Sequence, residues 1–405
     1  MAGSMDRKYF FSQPEKIAFG FGTVKRVGKE AGSITDGRKA QVITDKGVAY
    51  AGLLDQVVDP LQEYGFQVEV WDQASGEPDQ KTIEGGYREV REHGPDLVVG
   101  LGGGSSIDLA KFISGMLTNP GPFEENFSEK TGVGQFKNPP VPLLAVPTTA
   151  GTGAENTWLA ICSLTGVKGK VGFADPKLIP RKAVVDPGLT VGLPPGLTAQ
   201  TGVDALTHLF EGYLTINCNP FLEALAIQGV RTVPRYLPRA VEDGNDQEAR
   251  FHMMLQANMG GLSLNYGGVN DGHLIGHMIG DRYHIPHGVA QGITLPYCLN
   301  YNLQTFPREI ANLARWWGLD VEGMSEQAAG ERLVRACAQL LEDLGMPWRL
   351  ADVEGASKED IPEMAEALSS TPYFVTTAKS CCMRISKKED YELLMERMFD
   401  GDLPE

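Results

Sequence analysis

At 405 residues the chain is longer than one ordinary hydrophobic core supports, so two domains are expected. Hydrophobic residues at 42% and charged residues at 22% are those of a globular protein. Against 36 Lys and Arg stand 52 Asp and Glu, and a net charge of -16 argues against nonspecific nucleic-acid binding and against docking on anionic membranes.

From Lys39 onward, apolar runs of strand length alternate with amphipathic segments of helix length. Residues 40–44, 66–71, 96–101, 141–146 and 183–185 read as strands, and 50–64, 81–93 and 106–117 as helices. This alternation predicts a mostly parallel sheet covered on both faces, which binds ligands at the carboxyl ends of its strands. Two glycine-rich turns fall at such ends. The first, Gly100-Leu-Gly-Gly-Gly-Ser-Ser-Ile-Asp108, joins a buried strand to a helix start. It is either a tight turn or a cradle in which backbone amides approach a phosphate. The second, Pro147-Thr-Thr-Ala-Gly-Thr-Gly-Ala-Glu155, offers three hydroxyls suited to phosphate, ribose or an amide. Asp45 closes the 40–44 strand, either as a surface turn residue or as a partner for a ribose 2'-hydroxyl that would repel a 2'-phosphate.

After Val185 the strand signals fade. Residues 199–214, 220–233, 246–264, 325–344 and 387–398 read as helices, which makes the second domain all-helical. The expected division is 5–187 and 188–405, with the active site in the cleft between the two. No apolar run reaches the ~18 residues of a membrane span. The six cysteines show no paired framework and read as reduced, which places the chain in the cytoplasm.

Four of the seven histidines, His273, His277, His284 and His287, lie within residues 270–300. His273 and His277 are one helical turn apart and share a face. Pro286 should end that helix and let a loop carry His287 back toward them. Three imidazoles can converge on a divalent metal, and Asp204 and His208, again four apart, offer further ligands.

GGGSSID, PTTAGTGAE, DALTH and the H-x3-H-x8-PHG arrangement together resemble the iron-containing (group III) alcohol dehydrogenases, in order and spacing, from about Phe11 to the end of the chain. The resemblance implies the dehydroquinate synthase-like fold of that family, an α/β dinucleotide-binding domain followed by an all-α metal-binding domain. It implies Asp204, His208, His273 and His287 as metal ligands, with iron(II) favoured and zinc(II) the alternative. It implies His277 in proton transfer. For NAD(H) it implies Asp45, Gly102, Gly103, Gly104, Ser105, Asp108, Thr148, Thr149, Thr152 and Lys170. A homodimer is the oligomer it suggests.

The chain departs from the family pattern in places. Asn270-Asp271-Gly272 replaces an apolar lead-in to His273, Met278 stands where Pro is usual, and Asp281 and Arg282 replace small or apolar residues. Cys382-Met-Arg384 stands where Asn-Pro-Arg is familiar. Trp158, Leu159 and Leu264 suggest an apolar substrate pocket, whereas Arg282 suggests a partner for an acid group. The expected reaction is reversible hydride transfer between a primary alcohol and NAD. The rival enzyme is a dehydroquinate synthase-like lyase, which would carry more cations for an anionic substrate. The rival of another class is a nucleotide-binding protein without catalysis, which would tolerate loss of a metal ligand.

Overall fold

Runs of Val, Ile, Leu and Ala closed by Gly, Asp or Pro make the strands, because branched side chains pack well on a pleat and the closing residues turn the chain out of it. The computed structural model describes residues 8–404 except 75, 129–132, 165 and 168, with side chains 128 and 133 also left out. The expected domain start at residue 5 lies outside the described residues. The chain divides into two compact units, Phe10–Gly192 and one built chiefly on Leu193–Glu405.

The first unit carries strands β1 (Lys16–Phe19), β2 (Lys39–Ile43), β3 (Gln67–Trp71), β4 (Leu97–Gly102) and β5 (Phe127–Ser128). It continues with β6 (Val133–Gly134), β7 (Leu143–Pro147), β8 (Leu159–Ser163), β9 (Lys170–Ala174) and β10 (Lys182–Val185). Its helices are α1 (Val27–Ala31), α2 (Lys46–Tyr50), α3 (Asp55–Glu63), α4 (Gln80–His93), α5 (Gly104–Thr118) and α6 (Phe123–Asn126). Six strands form one sheet in the order β1-β10-β7-β4-β2-β3, parallel at every pairing. β4 and β7 are buried at every residue, as central strands covered on both faces must be. From β2 the chain moves out to β3, and from β4 it moves the other way to β7, so the crossovers reverse between β2 and β4. That reversal opens a crevice at the carboxyl ends of β2 and β4.

A second sheet, β5-β6-β9-β8, mixes antiparallel and parallel pairs and has no counterpart among the expected elements. Its first two strands are two residues long, too short for a periodic signal. α5 packs on β4, β7 and β8 and is buried from Ser106 to Met116, which explains its weak amphipathicity.

The second unit is helical: α7 (Pro195–Tyr213), α8 (Pro220–Glu242), α9 (Gln247–Gly267), α10 (Asp271–Tyr283) and α11 (His287–Leu303). There follow α12 (Pro307–Trp317), α13 (Glu326–Asp343), α14 (Ile361–Ser370), α15 (Pro372–Cys381) and α16 (Lys388–Asp400). Two expectations need correction. α8 was expected to stop at Val233, yet it runs through Pro234 and Pro238, because Tyr236, Leu237 and Ala240 are buried beyond them. Packing of that face outweighs the hydrogen bonds the prolines remove. Likewise, His287 was expected on a returning loop. α10 instead ends at Tyr283, His284 turns the chain at φ 52°, Pro286 caps, and His287 is the first residue of α11.

At the β1 edge, Glu30 on α1 is buried beneath three cations. Lys16 Nζ stands 2.6 Å from its carboxylate, Lys182 Nζ 3.1 Å and Arg26 3.3 Å. Burial pushes this carboxyl up, but the hydrogen-bonded Lys16 and Lys182, with Arg26, prevail and hold it at about 2, from an ordinary 4.5. A depressed carboxylate stabilises the fold fully above its unfolded pKa and loses that contribution as pH falls through the folded one. Glu30→Gln should therefore lower stability at pH 7 by on the order of 1–2 kcal/mol, screening at the half-exposed Lys16 and Arg26 limiting the effect. Urea unfolding of both proteins should show the gap closing as pH falls from 4.5 toward 2; a gap independent of pH would contradict the assignment.

Candidate functional site

Two groups of side chains stand out, one in each unit. In the helical unit, Asp204 and His208 lie one turn apart on α7, and His273 and His277 one turn apart on α10. Gly288, the second residue of α11, lets that helix touch α7. A Cβ there would lie 2.0 Å from the Gln200 carbonyl oxygen, so only glycine allows His287 to approach so closely.

The outcome is a convergence on one carboxylate oxygen. From Asp204 Oδ1, His287 Nε2 lies at 3.3 Å, His273 Nε2 at 3.6 Å and His208 Nε2 at 3.8 Å. One ligand atom each from Asp204, His208 and His273 falls within 4.8 Å of the others. The His208 and His273 rings stack at 4.7 Å. Asp204, His208 and His273 are buried, whereas the His287 side chain is 24% exposed. His277 is buried too, its ring centroid 5.3 Å from that of His287 and 6.1 Å from that of His273.

These residues fit a divalent cation. Asp204 Oδ1 and both ring nitrogens of His273 are buried without a well-formed hydrogen bond among the described residues, although Nδ1 lies 2.9 Å from Glu211 Oε1. Buried polar atoms rarely go unpaired, and several unpaired acceptors turned toward one another are what a cation satisfies. Donor atoms at about 2.1 Å from an ion stand roughly 3–3.5 Å apart, near the spacings observed. Electrostatics acts on each of these groups differently. Burial opposes ionisation of Asp204, but the surrounding His208 and His287 hold its carboxyl well below the usual range. Burial also pushes the His208 imidazole down, to about 3. His273 goes the other way: burial lowers it, yet the carboxylates of Glu211 and Asp204 carry it up to about 9.

Glu211 was not among the expected site residues. It follows His208 by three in Asp204-Ala-Leu-Thr-His-Leu-Phe-Glu211, so spacing along α7 could have signalled it. Gln291 is another addition, its Nε2 lying 3.4 Å from His287 Nδ1.

In the α/β unit, the carboxyl ends of β2, β4 and β7 come together. Gly102 has φ +143°, a conformation glycine adopts and other residues rarely do. Its carbonyl accepts the Thr148 N–H at 2.9 Å, which ties the two glycine-rich turns to each other. A Cβ on Gly104 would come within 2.6 Å of Thr152, and one on Gly103 within 3.4 Å of Thr149. Gly103, the residue before α5, offers no side-chain cap, so the first amides of this helix keep their hydrogen-bonding capacity. Ser105 lies in that first turn. Asp45 borders it: Oδ2 accepts the Ser106 hydroxyl at 3.2 Å, and Oδ1 caps α2 through the Val48 N–H at 3.0 Å. A bare turn at a helix N-terminus beside a carboxylate suits a pyrophosphate and a ribose hydroxyl.

The remaining expected residues make contacts of their own. Asp108 faces inward, accepting the Ile161 N–H at 3.0 Å and Lys111 Nζ at 3.2 Å. Lys111, fully buried, also donates to Thr157 at 2.8 Å and to the Leu159 carbonyl at 2.6 Å, so this pair links α5 to β8. Lys170 pairs with Glu77. Trp158, just before β8, and Leu159, its first residue, are half-buried, as is Leu264 on α9. Arg282 lies on the exposed side of α10 in an ion pair with Asp360, and that carboxylate also accepts the Tyr283 hydroxyl at 3.1 Å.

Comparison with known proteins fits both groups. The family model described as iron-containing alcohol dehydrogenase matches residues 14–187, and that of the Fe-containing alcohol dehydrogenase family C-terminal region matches 198–378. The chain is 35% identical over 357 residues to the NAD-dependent methanol dehydrogenase of Bacillus methanolicus, covering 88% of this chain and 92% of that one. It is 35% identical to the lactaldehyde reductase of Escherichia coli K12 over 330 residues, covering 82% and 85%. A solved alcohol dehydrogenase from Oenococcus oeni superposes with a TM-score of 0.90 at 30% identity, covering 97% of this chain and all of that one. With both halves matched in order and relatives above 30% identity over most of its length, the chain belongs to the iron-containing alcohol dehydrogenase family.

Proposed function

We propose that this chain is a metal-dependent oxidoreductase that transfers a hydride reversibly between a small primary alcohol and NAD, running as an aldehyde reductase when NADH prevails. The observation that carries this reading is the set of three imidazole nitrogens lying 3.3 to 3.8 Å from one buried Asp204 oxygen. Asp204, His208, His273 and His287 would hold the metal. One carboxylate and three imidazoles suit iron(II), favoured by the family, and suit zinc(II) nearly as well. Such an ion, when bound, supplies Lewis acidity toward the substrate oxygen. NAD, when bound, supplies the hydride acceptor.

What the chain itself contributes can be derived residue by residue. The Gly102–Gly104 turn and the uncapped start of α5 would receive the pyrophosphate, with Ser105, Thr148, Thr149 and Thr152 donating from the lip. Asp45 would accept from the ribose 2'-hydroxyl, and its charge opposes a 2'-phosphate. His277, buried one turn beyond His273, would move the hydroxyl proton, since an imidazole exchanges protons near neutral pH. Asp108 and Lys170 would support the nucleotide pocket from inside, through Lys111 and Glu77. Arg282 is already matched by Asp360, which supports a neutral substrate over an acidic one. The methanol dehydrogenase and the lactaldehyde reductase among its relatives act, by their names, on small molecules of this kind.

The location proposed is a reducing cytoplasm. The oligomer proposed is a homodimer, which light scattering would test.

Asp204→Ala should reduce bound iron or zinc to background and lower kcat/KM by on the order of 1,000-fold, with far-UV circular dichroism unchanged. Full metal content in this variant would contradict the site. Asp45→Ser keeps a side chain able to cap α2 while removing the charge. It should raise kcat/KM for NADP relative to NAD by roughly tenfold or more, read from steady-state rates with each nucleotide. Wild-type activity confined to NADP would overturn the role of Asp45. Net accumulation of NADH with a primary alcohol separates the dehydrogenase from a lyase that returns its hydride within each turnover.

A further inference from the structure

Two features remain outside this scheme: a buried glutamate on α7, and the Asn270-Asp271-Gly272 lead-in that replaces an apolar one. We propose that Glu211 is a positioning residue, which receives the Nδ1–H of His273 and so turns Nε2 of that ring toward Asp204. This rests on the reading of His273 as a metal ligand.

Both oxygens of Glu211 have a nitrogen close by. Oε1 lies 2.9 Å from His273 Nδ1, and Oε2 accepts the backbone N–H of Asn270 at 2.7 Å. That backbone amide holds Oε2 and leaves Oε1 on the side of the ring. An imidazole that donates from one nitrogen presents a lone pair at the other. With Nδ1 2.9 Å from a carboxylate oxygen, the neutral form of the ring would keep its proton there and offer Nε2, 3.6 Å from Asp204 Oδ1, to a metal. A carboxylate behind a ligating imidazole fixes the ring's tautomer and orientation and raises its basicity.

The lead-in residues then have a use. Asn270 caps α10 by accepting the Gly272 N–H at 3.1 Å, which presents its own N–H to Glu211. Gly272 leaves the space the carboxylate occupies: a Cβ at that position would lie 2.6 Å from Glu211 Oε1. A side chain at 272 would push this flexible carboxylate off His273 while leaving every metal ligand in the sequence. An apolar lead-in would lack the cap, and with any side chain at 272 it would lack the clearance as well.

The test uses the full chain, stripped of metal and titrated with zinc(II) alone against a chromophoric chelator. Glu211→Ala and Gly272→Ala should each weaken zinc binding by roughly 10–100-fold relative to wild type, with Glu211→Gln, which keeps one acceptor, between them and wild type. Thermal midpoint and circular dichroism report the fold. If Glu211→Ala does not fold, Gly272→Ala still decides, since alanine favours the helix it enters. A second readout is the zinc-loaded wild type labelled with 15N-histidine. The Nδ1–H of His273 should resonate far downfield and exchange slowly, and should lose both properties in Gly272→Ala. A merely structural Glu211 would alter the thermal midpoint and leave this proton unchanged. Zinc affinity within twofold of wild type in both alanine variants, or an unmoved proton, overturns the inference alone. A wild-type chain that takes up no zinc overturns the metal reading and this inference with it.

Discussion

The helical unit is built around a carboxylate that ought not to be where it is. Asp204 is buried on α7, and no basic side chain approaches Oδ1 closer than the imidazoles of His287, His273 and His208 among the described residues. An ionised carboxylate out of water is costly unless something positive answers it. The His273 imidazole is pushed toward the charged form and that of His208 away from it, so they answer it only in part. The arrangement is consistent once a cation is shared among them, and the packing of α7, α10 and α11 can be read as the means of bringing these donors together.

That packing is tight where it matters. Gly288 allows α11 to meet α7, and Gly272 allows Glu211 to stand behind His273. In each case the glycine serves proximity and not flexibility. Close-packed helices transmit a small displacement directly into the positions of the side chains they carry. Ligand geometry in this chain is therefore a property of helix contacts as much as of the ligands themselves.

The α/β unit solves a different problem with different means. Its parallel strands end together, and the reversal between β2 and β4 leaves their carboxyl ends facing a crevice with a helix N-terminus beside it. Gly102, Thr148 and Asp45, which lie far apart in the chain, become neighbours through parallel pairing alone. α5 is held against β8 by the Asp108–Lys111 pair, so the floor under that crevice includes a buried ion pair whose partners are satisfied by a backbone amide, a hydroxyl and a carbonyl.

Much of this was legible beforehand, and the reason is local. The central strands, the helices around them, the glycine-rich turns and the histidine pairs on α7 and α10 follow from periodicity, turn chemistry and spacing within a few residues. Other features depend on contacts across the chain. The short strands of the second sheet are pairings with no periodic signal, and α8 passes two prolines because its far end is buried. His287 opens a helix where a loop was expected, since Pro286 is as able to begin a helix as to end one. Asp108, an obvious candidate in its motif, turns inward to Lys111, and Arg282 turns outward to Asp360. By itself the sequence determined which chemistry the chain carries, because residue types and their spacing are written there. Only the tertiary structure decided which of those groups meet, since the distance between Glu211 and His273, or between Gly288 and Gln200, is set by how whole helices pack.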